Sequence, residues 1–221
     1  MLIDLHNHST FSADACDAPE DIVTHAISCG YQCVGITDHN YYLDACFEQY
    51  RTELFRLKQT YRNRIIVACG MEVSYLKLDH FKPDLLSGFD YCLYEYFYPA
   101  QSLVEMVQYR KQFPCAFGLP HFDLLKAGEE SGIDAIALLA ENDIFWEMNV
   151  NYDHVHGWRT LPYVNAFFEN KSAVRHARDC GLRFSVGYDT HCLADYDKNR
   201  VIETCRRLTE NQLSIVNFSD H

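Results

Sequence analysis

Short apolar runs alternate with longer amphipathic stretches along the whole of this sequence, and no other feature narrows its possible folds so far. Runs of strand length lie at Met1–His6, Cys33–Thr37, Ile65–Cys69 (extending through Glu72), Tyr91–Tyr94, Ala116–Leu119, Ile144–Asn149 and Arg183–Val186. Between them the pattern predicts helices at about Pro19–Cys29, Leu43–Tyr61, Ser102–Lys111, Gly132–Asn142, Val164–Cys180 and Asn199–Glu210. Pro19 suits a first helical turn, and Gly30 and Gly181 suit helix stops. The tail Ser214–Asn217 predicts a short edge strand, while Ser74–Gly88 shows no readable period. Strand–helix alternation of this kind marks a parallel sheet or barrel. Seven strands with intervening helices predict an α/β fold, a closed or nearly closed barrel.

In such a barrel the chemistry gathers in the loops that leave the strand ends. The first strand ends in His-x-His, and side chains two apart on a strand project to one side, so His6 and His8 point together. Taken alone, a buried core histidine explains that pair as well as a metal ligand does. The other strand ends change the weighing. Asp14 follows in the first loop, Asp38 and His39 end the second strand, Glu72 the third, His121 the fifth, and Asp189 and His191 the seventh. Any one of these can be a helix cap or a solvated surface group, but chance does not readily fill five of seven strand ends with His, Asp or Glu. Imidazole and carboxylate are the usual ligands of Zn²⁺, Mn²⁺ and Fe²⁺. His25 and His176 fall on predicted helices, and His80, His154, His156 and His221 on loops or the terminus, where structural or solvated roles are expected.

Composition removes other classes. The 31 acidic and 19 basic residues give a formal net charge of −12, which disfavours non-specific nucleic-acid binding. An anionic substrate is still allowed where metal ions supply local positive charge. No apolar stretch of about 18 residues lacks a charge, so no membrane span is expected. No basic-then-apolar leader with a cleavage site is read, which predicts a cytoplasmic protein. With 221 residues, 48% of them hydrophobic, a single domain over residues 1–221 is expected. The ten cysteines are scattered without a C-x-x-C pair, and Cys33, Cys69 and Cys92 lie in apolar runs, so reduced, mostly buried thiols are expected. Cys192 stands beside candidate site residues, but a nucleophilic role for it is the weaker reading.

Five motifs occur in one order: H-N-H-S with Asp14, I-T-D-H, G-M-E-V, L-P-H and G-Y-D-T-H. In that order they resemble the motifs of PHP-domain proteins, named for polymerase and histidinol phosphatase, from His6 to His191. The resemblance implies a distorted (β/α)7 barrel of the PHP type and a metal-dependent phosphoesterase holding two or three divalent ions, commonly Zn, Mn or Fe. It implies that His6, His8, Glu72 and Asp189 hold a first ion. Glu72 would bridge to a second, which His121 also binds, and Asp14, His39 and His191 would hold a third. There is one departure. The family usually carries a histidine after the fourth strand, where this chain reads D-Y-C-L-Y-E-Y-F from Asp90 to Phe97. Phe97 stands in the histidine's place, and Glu95 is the candidate substitute ligand.

The expected function is hydrolysis of a small-molecule phosphate ester by a metal-bound hydroxide, available near neutral pH because coordination lowers the pKa of water. Asp38 and His191 are candidates for orienting ligands or moving a proton, with Asp38 placed more readily behind the ligands. Asn149, and Glu147 on the same strand face, are candidates to point into the site. Lys77, Lys126 and Arg159 are candidate phosphate contacts, though solvated surface charge explains each as well. Alternative readings are an amide or lactone hydrolase using the same metals, and a degenerate domain that binds metal without catalysis. P-loop, Rossmann and H-E-x-x-H patterns are absent. The oligomeric state is not legible in the sequence.

Overall fold

Every strand pairing among the described residues is parallel, which requires a crossover between paired strands and accounts for the strand–helix rhythm. The structure is a computed structural model that describes residues 1–76, 81–95, 102–151 and 162–219. Its strands are β1 Ile3–Asp4, β2 Cys33–Ile36, β3 Ile66–Cys69, β4 Glu72–Ser74, β5 Tyr91–Glu95, β6 Ala116–Leu119, β7 Ile144–Asn149, β8 Arg183–Gly187 and β9 Ser214–Ile215. The helices are α1 Pro19–Ser28, α2 Phe47–Tyr61, α3 Leu103–Arg110, α4 Leu124–Ser131, α5 Ala135–Glu141, α6 Pro162–Glu169, α7 Lys171–Asp179 and α8 Lys198–Glu210.

The strands form two sheets, ordered β1-β2-β3 and β4-β5-β6-β7-β8-β9, rather than one closed ladder. A few backbone hydrogen bonds stitch the sheets on both sides. On one seam Leu5 N–H donates to Val186 O at 2.8 Å and Asn7 bridges to Thr190. On the other, Glu72 N–H donates to Asp38 O at 3.2 Å and His39 bridges to Glu72. The result is a distorted barrel-like wall whose hydrogen-bond ladders do not run continuously around it.

The expected continuous strand from Ile65 through Glu72 is broken, and the break has a local cause. At Gly70 and Met71 the backbone changes partners: Gly70 N–H donates to Ile36 O at 3.0 Å, and Leu93 N–H donates to Met71 O at 2.9 Å. A Cβ at Gly70 would sit 2.5 Å from the Tyr91 ring and 2.7 Å from the Thr37 methyl, so glycine permits this close crossing. The ten-residue-plus helix expected over Val164–Cys180 is likewise two helices. Asn170 ends α6 and caps α7, its side chain accepting from Ala173 N–H at 3.1 Å. The helix expected over Gly132–Asn142 is α5, started by Asp134 as N-cap. Helix α4 precedes it where a loop was expected, and Gly132 stops α4 in the left-handed conformation at φ 67°. Helix α2 begins four residues later than expected, after a 3₁₀ turn at Asn40–Tyr42. In Ser74–Gly88 the structure shows a 3₁₀ turn at Pro83–Leu86.

The interior is filled by large side chains from facing strands, among them Tyr91, Phe117, Phe145, Trp146 and Phe184, each fully buried. Fully burying one such side chain stabilises the fold by about 1.5–3 kcal/mol. Tyr91 does two jobs: its ring stacks on Phe218 and its hydroxyl donates to Leu5 O at 2.6 Å, just before the His6 strand end. All ten cysteines are free thiols, with Cys33, Cys69, Cys92, Cys115 and Cys205 buried. Among the described residues no helix is long and apolar enough to cross a membrane.

Candidate metal centre

The C-terminal ends of the strands bring the sequence-distant donors to one place. His6 and His8 leave β1 with their Nε2 atoms 3.0 Å apart. Glu72, at the start of β4, puts Oε2 at 3.6 Å from His6 Nε2 and 3.5 Å from His8 Nε2. Asp189, after β8, puts Oδ1 at 3.5 Å and 3.2 Å from the same two nitrogens. All four side chains are buried. Donors about 2.0–2.2 Å from a tetrahedral ion are about 3.3–3.6 Å from one another, so this spacing suits a single divalent ion.

The remaining candidates adjoin this cluster. Glu72 turns its other oxygen to His121, Oε1 lying 2.9 Å from Nε2. Glu95 joins Glu72 and His121 with ligand atoms all within 4.8 Å. On the other side His8, His39 and His191 form a second histidine cluster. Both His39 and His191 rings stack on His8 at 4.3 Å. Asp14 reaches this side from the first loop, its Oδ2 at 3.5 Å from His39 Nε2 and 3.8 Å from His191 Nε2.

The donors fit metal ions better than they fit one another. His8 Nδ1, His39 Nδ1 and Glu72 Oε2 are buried and have no hydrogen-bond partner among the described residues. His39 Nδ1 and Glu72 Oε2 are only 2.8 Å apart, yet they lack hydrogen-bond alignment. Burying carboxylates costs several kcal/mol per ion unless positive charge accompanies them. Without metal, imidazoles carry that charge. Burial opposes charge on His6, but Glu147 and Glu72 outweigh it and raise its pKa to about 10. His39 is raised to about 9 against burial by Glu72 and Asp14. Burial and the neighbouring His39 push His8 well below its ordinary value, and burial lowers His191 to about 4. Glu72, despite its burial, is held well below the usual carboxylate range by His39 and His6.

Two candidate ligands sit on unusual backbone. His121 and Asp189 have φ of 33° and 59°, positions that cost non-glycine residues energy and that collect at functional sites. Behind the donors lies a layer built from the strand face that carries Glu147 and Asn149. Glu147 on β7 is fully buried; its Oε1 lies 2.8 Å from His6 Nδ1 and its Oε2 accepts from His121 N–H at 2.9 Å. This leaves the far nitrogen of His6 facing the cluster, as a carboxylate partner does for a metal-bound imidazole. Asn149, expected at the substrate, is buried and bridges Glu147 Oε2 and Asp189 Oδ2, both at 3.2 Å. Asp4 accepts from the backbone N–H of His6 and of Tyr188. Only the period-two spacing of Glu147 and Asn149 on one strand hinted at this layer.

Asp38 faces the first loop. Its Oδ1 accepts from Ser9 N–H at 2.8 Å and its Oδ2 from the Ser9 hydroxyl at 2.6 Å. Lys126 is exposed and lies 3.8 Å from Glu130. Lys77, Phe97, His154, His156 and Arg159 lie outside the described residues.

A parallel α/β wall whose strand ends gather imidazoles and carboxylates in this way defines a metal-dependent hydrolase. The PHP domain family model matches residues 4–143, and the chain belongs to the PHP domain family. The fold is shared with the histidinol phosphate phosphatase of Lactococcus lactis subsp. lactis Il1403, a structure complexed with zinc, L-histidinol and phosphate. That match has a TM-score of 0.70 and 16% identity, over 97% of this chain and 95% of the other. A Listeria monocytogenes protein assigned as a histidinol phosphatase matches with a TM-score of 0.61 and 16% identity, over 87% of this chain and 96% of the other. No curated protein matches at the sequence level.

Proposed function

We propose that this chain is a metal-dependent phosphatase acting on a small-molecule phosphate monoester. The reading rests on one observation: buried donors of His6, His8 and Asp189 lie within 4.8 Å of one another, and Glu72 Oε2 stands 3.6 Å and 3.5 Å from the two imidazoles, a spacing that suits ligands around one divalent ion. Bound divalent ions would supply Lewis-acid polarisation of a phosphoryl oxygen and ionise a water near neutral pH.

The chain's own residues divide the remaining work. Those four would hold one ion, and Glu72 with His121 and Glu95 would face a second. Asp14, His39 and His191 would hold a third. Glu147 fixes the tautomer and ring direction of His6, and Asn149 steadies Glu147 and Asp189. Asp38 acts as a positioning residue, anchoring Ser9 so that the first loop returns Asp14 to the centre. His191, buried and with its pKa lowered to about 4 by that burial, stays neutral near pH 7 and serves this third position as a ligand rather than as the proton donor. Arg159 stays the proposed cation for the substrate phosphate.

Histidinol phosphate is the first substrate to test, because the Lactococcus lactis protein with this fold is complexed with L-histidinol and phosphate. The experiment incubates protein loaded with Zn²⁺, Mn²⁺ or Fe²⁺ with histidinol phosphate, sugar phosphates, nucleoside monophosphates and an aryl phosphate, beside amide and lactone panels. Phosphate release that depends on the ion and disappears in His6→Ala is expected. No release from any phosphoester by fully loaded protein overturns the proposal, and amide or lactone turnover in its place assigns the alternative bond.

A further inference from the structure

A second set of donors converges where two loops meet beside the centre. Cys16 and Asp17 follow Asp14 in the first loop, and Cys192 follows His191. Backbone hydrogen bonds tie the loops together. Cys16 N–H donates to His191 O at 3.0 Å, and Leu193 N–H donates to Asp17 Oδ2 at 2.6 Å. The Cys16 thiol donates to Asp17 Oδ2 at 3.4 Å, and one ligand atom from each of Cys16, Asp17 and Cys192 lies within 4.8 Å of the others. Cys16 and Asp17 are neighbours in sequence, and the tertiary fold brings Cys192 to them from the far end of the chain.

The spacing and the donor types point the same way. A thiolate at about 2.3 Å and a carboxylate oxygen at about 2.0–2.2 Å from a tetrahedral zinc are about 3.5 Å apart. Cys16 and Asp17 already stand at that separation. Paired sulfurs select a borderline-soft ion such as zinc, whereas the neighbouring centre offers only nitrogen and oxygen. Access is open: Cys16 is exposed, Cys192 is half-buried, and a cavity of about 160 Å³ lined by Asp14, His191 and both cysteines adjoins the cluster.

We propose that Cys16, Asp17 and Cys192 form a separate site for a zinc-like divalent cation. The ion takes both cysteines as thiolates, their two protons passing to solvent, and completes its coordination with water. Bound there, it staples the loop of Asp14 to the loop of His191 at the rim of the catalytic centre.

The test loads the reduced full-length chain with Co²⁺ and reads the thiolate-to-cobalt charge-transfer band in the near ultraviolet, with ions per chain counted by elemental analysis. The band is expected, and the double variant Cys16→Ser, Cys192→Ser should lose it together with a single ion per chain while keeping its other ions. In the unmodified chain, Zn²⁺ should shield both cysteines from alkylation in mapped peptides, a readout that needs no variant to fold. Absence of the band, its survival undiminished in the double variant, or unshielded alkylation overturns the site. A chain that gives no band but forms a Cys16–Cys192 cross-linked peptide in air also overturns it, in favour of a disulfide. Because the band reports sulfur ligation only, it stands or falls independently of phosphatase activity.

Discussion

Glu147 Oε1 lies 2.8 Å from Nδ1 of His6, and neither side chain reaches solvent. This pair sets the direction of the first imidazole in the centre. Replacing Glu147 with Gln keeps the shape but removes the charge that holds the ring in its metal-facing tautomer. Metal affinity is expected to fall about 10–100-fold, as for other outer carboxylate partners of ligating histidines. A chelator-competition titration measures it; unchanged affinity in a folded variant would remove Glu147 from the centre.

Gly187 leaves room for that pair. A Cβ there would lie 2.1 Å from Glu147 Oε1 and 2.5 Å from His6 Cβ. Gly187→Ala is therefore expected to cost about 1–3 kcal/mol of stability through overpacking and to weaken metal binding with it. Gly30→Ala is the comparison: φ of 79° strains the backbone, but no atom lies within 4 Å of the added carbon. It should lower the thermal midpoint without changing metal affinity.

Stripping the metal should destabilise the whole fold. Glu72 and Asp189 are buried where the two sheets meet, with Glu147 of β7 buried behind them, so ions that neutralise these carboxylates would also hold β1, β4 and β8 together. Ligand linkage predicts about 2.7 kcal/mol of added stability at free metal a hundredfold above Kd. Calorimetry with and without chelator is the check, and identical midpoints would count against a bound ion.

Tyr91→Phe separates fold from site. It deletes the hydroxyl that donates to Leu5 O, a loss of about 0.5–1.5 kcal/mol. The thermal midpoint should drop while the ion count stays the same. A loss of ions instead would mean that Tyr91 positions the His6 strand end directly.

Asp38→Asn tests whether that carboxylate positions or reacts. Both its oxygens hold Ser9, so loosening of the first loop should reduce occupancy at Asp14, His39 and His191. Bound ions counted by elemental analysis should fall, with a rise in the metal concentration needed for activity. A lower kcat at saturating metal with no change in occupancy would assign Asp38 to the reaction itself.

Much of this protein is written locally. The apolar runs around Cys33–Ile36, Ala116–Leu119 and Ile144–Asn149 carry strand period and length within themselves, and the structure places β2, β6 and β7 there. His6, His8, His121 and Asp189 follow strand ends, which locates them at the C-terminal rim of any parallel α/β wall, whereas Glu72 joins them from the first residue of β4. Other features depend on partners far along the chain. The break at Gly70–Met71 arises because Ile36 and Leu93 offer hydrogen bonds on different sheets. Glu147 becomes the partner of His6 only when β7 and β1 face one another across the interior. The meeting of Cys16 with Cys192 needs both loops folded. Periodicity and capping are short-range, so the sequence alone determined most of the strands and their active ends, but not the break between β3 and β4, helix α4 or the division of α6 from α7. Which carboxylate faces which imidazole is set by packing between residues far apart in the chain, His6 and Glu147 being 141 positions apart, and only the tertiary structure decided that.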